Sequence, residues 1–279
     1  MTLTPVRVAG PAGTLAGWTA GPSEPTAAPL VLIHPINTRG LIWADIVRFL
    51  SRTRTCLLPD LRAHGESEAV GELGLDPWTD DVEAFLDALG VRGPFHVAGG
   101  SLGGSLAVCL AARRPEQVLS VTGMGSSLNF PLADGDVTRA TYALFDELGV
   151  AGAFRSVMSD STFGPGVAPE LIERAVALAN PNDVETVKRV WYATITSDSA
   201  DRVTGFDVPS LVITGELDTT CTPALGLEMA RALGTEQVVM PGVGHLPMLE
   251  RPERVATLLA RHLVGAETAA SPGSAPAGG

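Results

Sequence analysis

Short apolar runs alternate along this chain with longer segments in which apolar residues recur every three to four positions. The run Leu30-Val31-Leu32-Ile33 has no polar alternation, as expected of a strand buried on both faces of a parallel sheet. Similar reasoning predicts strands at 55–59, 95–98, 118–124, 210–214 and 237–240. Helical spacing predicts helices at 41–50, 76–90, 102–113, 223–233 and 252–263. In the second of these, Val82, Phe85, Leu86 and Leu89 share a face, Asp76 is placed to cap and Pro77 suits the first turn. Two short strands, 5–9 and 14–19, joined at Gly10-Pro11-Ala12-Gly13, form an antiparallel edge. Alternating strand and helix define an α/β fold class with a mostly parallel central sheet flanked by helices.

The alternation lapses between residues 126 and 206. Tyr142, Phe145 and Leu148, then Leu171, Ile172, Ala175 and Leu178, keep helical spacing with no strand-like run between them. Breaks at Gly149, Gly164-Pro165-Gly166 and Asn180-Pro181-Asn182 divide the stretch into about four short helices. The expectation is a helical cap, 126–206, inserted into a core made of 1–125 and 207–265. From Ala266 the Ala, Gly, Ser and Pro content offers no packable pattern, so 266–279 reads as a disordered tail.

The 279 residues suffice for one large domain with such an insertion, and 45% hydrophobic with 18% charged residues is an ordinary globular composition. A net charge of −12 disfavours nucleic acid and anionic membrane as partners, which leaves a small-molecule substrate and, as an open option, a homodimer. Cys56, Cys109 and Cys221 are odd in number and widely spaced, which suggests buried, inert thiols rather than a disulfide framework or a zinc site. The first ten residues lack a basic stretch followed by an apolar one, and no run approaches the roughly 18 apolar residues of a membrane span, so a cytoplasmic protein is expected.

The stretch that carries chemistry is Gly99-Gly100-Ser101-Leu102-Gly103-Gly104, between a predicted strand and a predicted helix. G-x-S-x-G in that context is a nucleophile elbow, in which the serine sits at the tip of a strained turn and a Cβ at either flanking glycine would clash. The alternative is a plain turn of small residues. A nucleophilic serine needs a base and a carboxylate to orient it. Asp218, in Gly215-Glu216-Leu217-Asp218, and His245, in Gly242-Val243-Gly244-His245, each follow a predicted strand and so lie on the same sheet edge as Ser101. Glu216 is a rival acid. His34, His64 and His96 read as packing or turn residues, and His262 as a surface residue near a helix C-terminus.

His34 after a strand, Asp60-x-Arg62-x-x-Gly65-x-Ser67, Gly99-x-Ser101-x-Gly103-Gly104, Gly215-x-x-Asp218 and Gly242-x-Gly244-His245 together resemble the α/β-hydrolase superfamily over residues 5–264. Stretches 95–118 and 223–252 look most like 3-oxoadipate enol-lactonases and esterase-type relatives. The resemblance implies an α/β-hydrolase fold, with Ser101 as nucleophile, His245 as base and then acid, Asp218 holding the imidazole, and the backbone N–H groups of Leu102 and Ile36 as oxyanion hole. No cofactor or metal is implied. The superfamily usually has His-Gly where this chain has His34-Pro35; proline cannot donate, so Ile36 is the candidate donor. Gly100 stands where a larger residue is common and should open the pocket side of the elbow. Trp191 and Phe130 are the chosen pocket walls, with Phe154, Phe163 and Tyr192 as further candidates, and Arg39 could meet a substrate carboxylate.

The implied activity is hydrolysis of a small to medium ester or lactone through an acyl-enzyme. C–C hydrolysis of a diketone-like substrate and a ligand receptor without turnover are the alternatives. Epoxide hydrolysis and dehalogenation are disfavoured, because relatives that perform them carry Asp where this chain has Ser101.

Overall fold

The computed structural model describes residues 2–130 and 135–270. The chain opens with an antiparallel hairpin, β1 (Thr4–Ala9) and β2 (Thr14–Ala20), then enters β3 (Leu30–Ile33), a 3₁₀ turn and α1 (Ala44–Leu50), β4 (Cys56–Pro59) and α2 (Leu75–Ala88). Next come β5 (Phe95–Gly100), α3 (Leu102–Arg113) and β6 (Val118–Met124). A helical insertion follows: α4 (Gly135–Val157), bent where Gly149 leaves helical geometry, a π-helical turn at Met158–Thr162, α5 (Pro169–Ala177) and α6 (Val184–Ile195). The sheet resumes with β7 (Ser210–Gly215), α7 (Pro223–Ala232), β8 (Gln237–Met240), α8 (Pro247–Glu250) and α9 (Pro252–Ala270).

Among the described residues the strands form one sheet of order β1-β2-β4-β3-β5-β6-β7-β8, antiparallel at β1-β2 and β2-β4 and parallel from β4 onward. After β3 the chain moves outward to β4, then returns past β3 to β5 and grows in the other direction. The order therefore reverses between β3 and β5, and the crevice beyond their carboxyl ends is where open α/β sheets place their ligands.

Strand alternation divides the core. On β3, Val31 and Ile33 pack with Trp78, Val82 and Phe85 of α2 and with α3. Leu30 and Leu32 pack on the other face with Ile46 of α1 and Leu259 of α9. The three cysteines are free and buried, and burial pushes the Cys56 thiol up to about 12 and that of Cys109 to about 11.

Three sequence expectations need correction. Asp76 does not cap α2: Gly74 is the N-cap, and the Asp76 carboxylate pairs with Arg113 and Arg202. His262 is not a surface residue but half-buried, its imidazole held below its ordinary range by burial. The last helix does not stop before Ala266. Ala266 is buried, and Glu267 accepts from Arg54 (3.0 Å), the Ala28 N–H (3.1 Å) and His96 Nε2 (3.2 Å), which gives the added turn partners that its composition did not advertise. Of the expected tail, 266–270 is helical and 271–279 lies outside the described residues. Among the described residues no helix is long and apolar enough to cross a membrane.

Burial lowers the pKa of His34, His64, His96 and His262, that of His96 to about 4. A histidine kept neutral by the fold but free to protonate once unfolded stabilises the protein above its ordinary pKa near 6.5, and that contribution is lost as pH falls toward the folded value. Asp81 and Glu250, whose carboxyls burial raises, act in the opposite sense. We expect urea unfolding to give a smaller free energy at pH 5 than at pH 7, with about 2 kcal/mol of the difference from His96. An equal or larger value at pH 5 would contradict this.

Candidate active site

Ser101 sits between the last residue of β5 and the first of α3 with φ 50° and ψ −121°, a strained conformation for a residue with a side chain. Only glycine fits beside it. A Cβ on Gly99 would lie 2.0 Å from Gly103 O, and one on Gly103 would lie 2.2 Å from Ile33 O. The Ser101 N–H donates to Met124 O at 2.9 Å, which ties the tip to β6. Leu102 opens α3, so its N–H has no intrahelical acceptor.

Asp218 follows β7 and His245 follows β8. His245 Nδ1 donates to Asp218 Oδ2 at 2.9 Å, while Asp218 Oδ1 accepts the N–H groups of Thr220 and Cys221, both at 2.8 Å. An ionised carboxylate only accepts, so this bond places the ring proton on Nδ1 and leaves the Nε2 lone pair free. Ser101, Asp218 and His245 are all at least nine-tenths buried. Glu216, the rival acid, is exposed and accepts the Gly242 N–H at 2.8 Å, so it shapes the loop rather than touching the imidazole.

The loop after β3 is held from within. His34 Nδ1 donates to Pro35 O (2.7 Å), Thr38 Oγ1 donates to the same oxygen (2.7 Å), and His34 Nε2 accepts the Leu61 N–H (3.1 Å). Both ring nitrogens are thus committed to backbone, which gives His34 a structural role. Pro35 O and Ile36 N–H belong to one planar trans peptide and point in opposite directions. Fixing the carbonyl therefore fixes the direction of the N–H. Asp60 supports the same loop by accepting the Gly40 N–H at 2.7 Å through Oδ1, and Arg62 is locked to Asp81 by bonds of 2.6 and 2.7 Å. The Asp60-to-Ser67 motif is structural.

Ser101, His245 and Ile36 open onto a cavity of about 280 Å³ whose opposite wall comes from the helical insertion. Phe130, Phe154 and Trp191 reach it; Phe163 and Tyr192 do not, and Tyr192 is 58% exposed. Gly100 requires correction as well. It does not open the pocket: a Cβ there would lie 2.6 Å from Met248 Cε and 3.1 Å from Pro35 Cγ, so Met248 fills the space that the missing side chain leaves. Arg39 also turns elsewhere and donates to Ala177 O. Among the described residues no group of three or more His, Cys, Asp and Glu side chains could hold a metal ion.

Residues that sequence reasoning missed join the insertion to the histidine loop. The His245 N–H donates to Thr162 O at 2.6 Å, at the end of the π-helical turn. Buried Glu250 accepts the Gly244 N–H through Oε1 and the Gly164 N–H through Oε2, both at 2.9 Å. Burial pushes the Glu250 carboxyl up, and those two bonds oppose the shift. The signal available was a glutamate ending the apolar run Leu246-Pro247-Met248-Leu249. On the other side, Asn180 spans the insertion and the β3 loop, donating to Ala63 O at 2.7 Å from its side chain and to Asn37 O at 2.8 Å from its N–H.

Residues 30–258 match the alpha/beta hydrolase family, and the chain belongs to it. It is similar to a 2-hydroxymuconate semialdehyde hydrolase of Pseudomonas sp. strain CF600, 27% identical over 258 residues that cover 87% of this chain and 89% of the relative. It is also similar to a pimeloyl-(acyl-carrier protein) methyl ester esterase of Neisseria meningitidis serogroup B, 29% identical over 238 residues, covering 81% and 89%. Among solved structures, the enol-lactonase of Burkholderia xenovorans LB400 superposes with a TM-score of 0.84 at 25% identity, over 93% of this chain and 100% of that one. The family match and the eight-stranded, mostly parallel sheet establish the α/β-hydrolase fold, and the similar proteins include a semialdehyde hydrolase, a methyl ester esterase and an enol-lactonase.

Asp218→Asn is expected to lower hydrolytic kcat by about 10³- to 10⁴-fold, as a wrong imidazole tautomer does in serine proteases. Glu216→Gln should stay within about twofold of wild type, because surface carboxylates contribute little. The reverse ranking would reassign the acid. Glu250→Gln sets an amide N–H against one of two backbone N–H groups, so thermal and urea unfolding should show a loss of about 1–3 kcal/mol. Unchanged stability would mean that the two bonds are dispensable.

Proposed function

We propose that the chain is a serine hydrolase that cleaves a small to medium ester or lactone through an acyl-enzyme. The observation that carries this reading is the hydrogen bond between His245 Nδ1 and Asp218 Oδ2, made by a histidine that shares one cavity with the strained Ser101. Ser101 Oγ adds to the substrate carbonyl carbon while His245 Nε2 takes its proton. Asp218 stabilises the imidazolium so formed. Charge on the carbonyl oxygen meets the Leu102 N–H, at the positive end of α3, and the Ile36 N–H. As the C–O bond to the leaving group breaks, the imidazolium returns its proton to the departing oxygen. Water then repeats the sequence on the acyl-enzyme, releasing the acid and restoring Ser101.

In this reading the helical insertion is a cap that sets specificity, with Phe130 and Trp191 in the acyl pocket. Similarity to a 2-hydroxymuconate semialdehyde hydrolase favours a second reading, in which the same residues hydrolyse a C–C bond beside a ketone. A soluble cytoplasmic enzyme that acts on small molecules without nucleic acid or membrane partners fits the charge of −12.

Turnover of p-nitrophenyl acetate is the test. Wild type should hydrolyse it, and Ser101→Ala should lose about 10³-fold or more of kcat while keeping its fold by circular dichroism. Equal turnover by the variant would exclude Ser101 as nucleophile. No turnover by wild type, together with ligand-dependent melting shifts, would point to a receptor.

A further inference from the structure

We infer that the cavity above Ser101 selects uncharged acyl groups, so that the substrate is a neutral ester or lactone whose acyl part carries no carboxylate. This rests on the serine-hydrolase reading. The cavity measures about 280 Å³. A cavity of that size takes a small to medium acyl group.

Its lining decides the charge. Among the described residues it holds no lysine, arginine, aspartate or glutamate. The undescribed segments 131–134 and 271–279 contain no lysine, arginine or histidine, and neither do positions 159 and 160, so they add no basic side chain. The insertion has six cationic side chains, each engaged by a carboxylate or a backbone carbonyl. Arg155 pairs with Glu173, Lys188 with Asp146 and Glu185, and Arg189 donates to Gly71 O. Arg39, from the core, donates to Ala177 O and does not line the cavity.

A substrate carboxylate against this largely apolar wall would give up part of its water and find no lysine or arginine in return, a circumstance in which burying an ion is costly. The net charge of −12 adds a long-range field that repels anions. What the wall does offer is neutral: the Thr141 hydroxyl and the Asn37 amide. Such groups suit an ester, ketone or ether oxygen.

Three esters at pH 7.5 test this with the full chain: p-nitrophenyl hexanoate, mono-p-nitrophenyl adipate, and the same half-ester with its free carboxyl methylated. The half-ester is expected to show kcat/KM at least about 100-fold below the hexanoate. Methylation, which restores neutrality while adding bulk, should bring the value back to within about tenfold. A half-ester cleaved as fast as the hexanoate would overturn the inference. So would a methylated diester as slow as the half-ester, since size rather than charge would then be selecting. Failure of all three to exceed the Ser101→Ala background would instead remove the serine-hydrolase reading itself, and this inference with it.

Discussion

Ser101 holds a backbone conformation that ordinary residues avoid, and it can do so only because no side chain stands at Gly99 or Gly103. That strain costs on the order of 1–3 kcal/mol and persists where the surroundings over-determine it. Here β5 is paired on both sides, by β3 and β6, and α3 packs directly against it. The same close approach brings Gly103 against Ile33 O, so the turn that exposes the serine also sets the distance to the loop after β3. That contact therefore couples the candidate nucleophile to the strand end from which the Ile36 loop departs, while the His34 and Thr38 bonds to Pro35 O orient the Ile36 N–H itself. Its location at the reversal of strand order is what leaves room for a substrate above it.

His245 depends on a second set of constraints. Its ring is oriented by Asp218, its own N–H is fixed by Thr162 O, and the preceding Gly244 is fixed by Glu250. Two of these three anchors reach into the helical insertion, because Glu250 also holds Gly164. A movement of the insertion is thus mechanically linked to the histidine. Asn180 makes the corresponding link to the β3 loop. The insertion supplies the apolar wall of the cavity and braces the groups beneath it.

Most of the core was legible in the sequence because buried parallel strands read as unbroken apolar runs and the helices between them carry clear periodicity. The breaks at Gly149, 164–166 and 180–182 also fall where the insertion changes direction. Ser101, Asp218 and His245 were legible as strand-terminal residues. Features that depend on distant partners were not. The last turn of α9 is stabilised by Arg54 and His96, more than 170 residues away in sequence. Gly100 suggested an opening because nothing local indicated that Met248 would fill it. Nothing local to Glu250 marks the two backbone N–H groups that the fold brings to it.

The central claim is that the strained Ser101, activated by His245, is the nucleophile. A fluorophosphonate adduct mapped by peptide mass spectrometry tests this most directly. One adduct per chain is expected, on the peptide containing Ser101, with labelling slowed severely in His245→Ala. A label on another residue, or equally fast labelling of Ser101 without the imidazole, would contradict it.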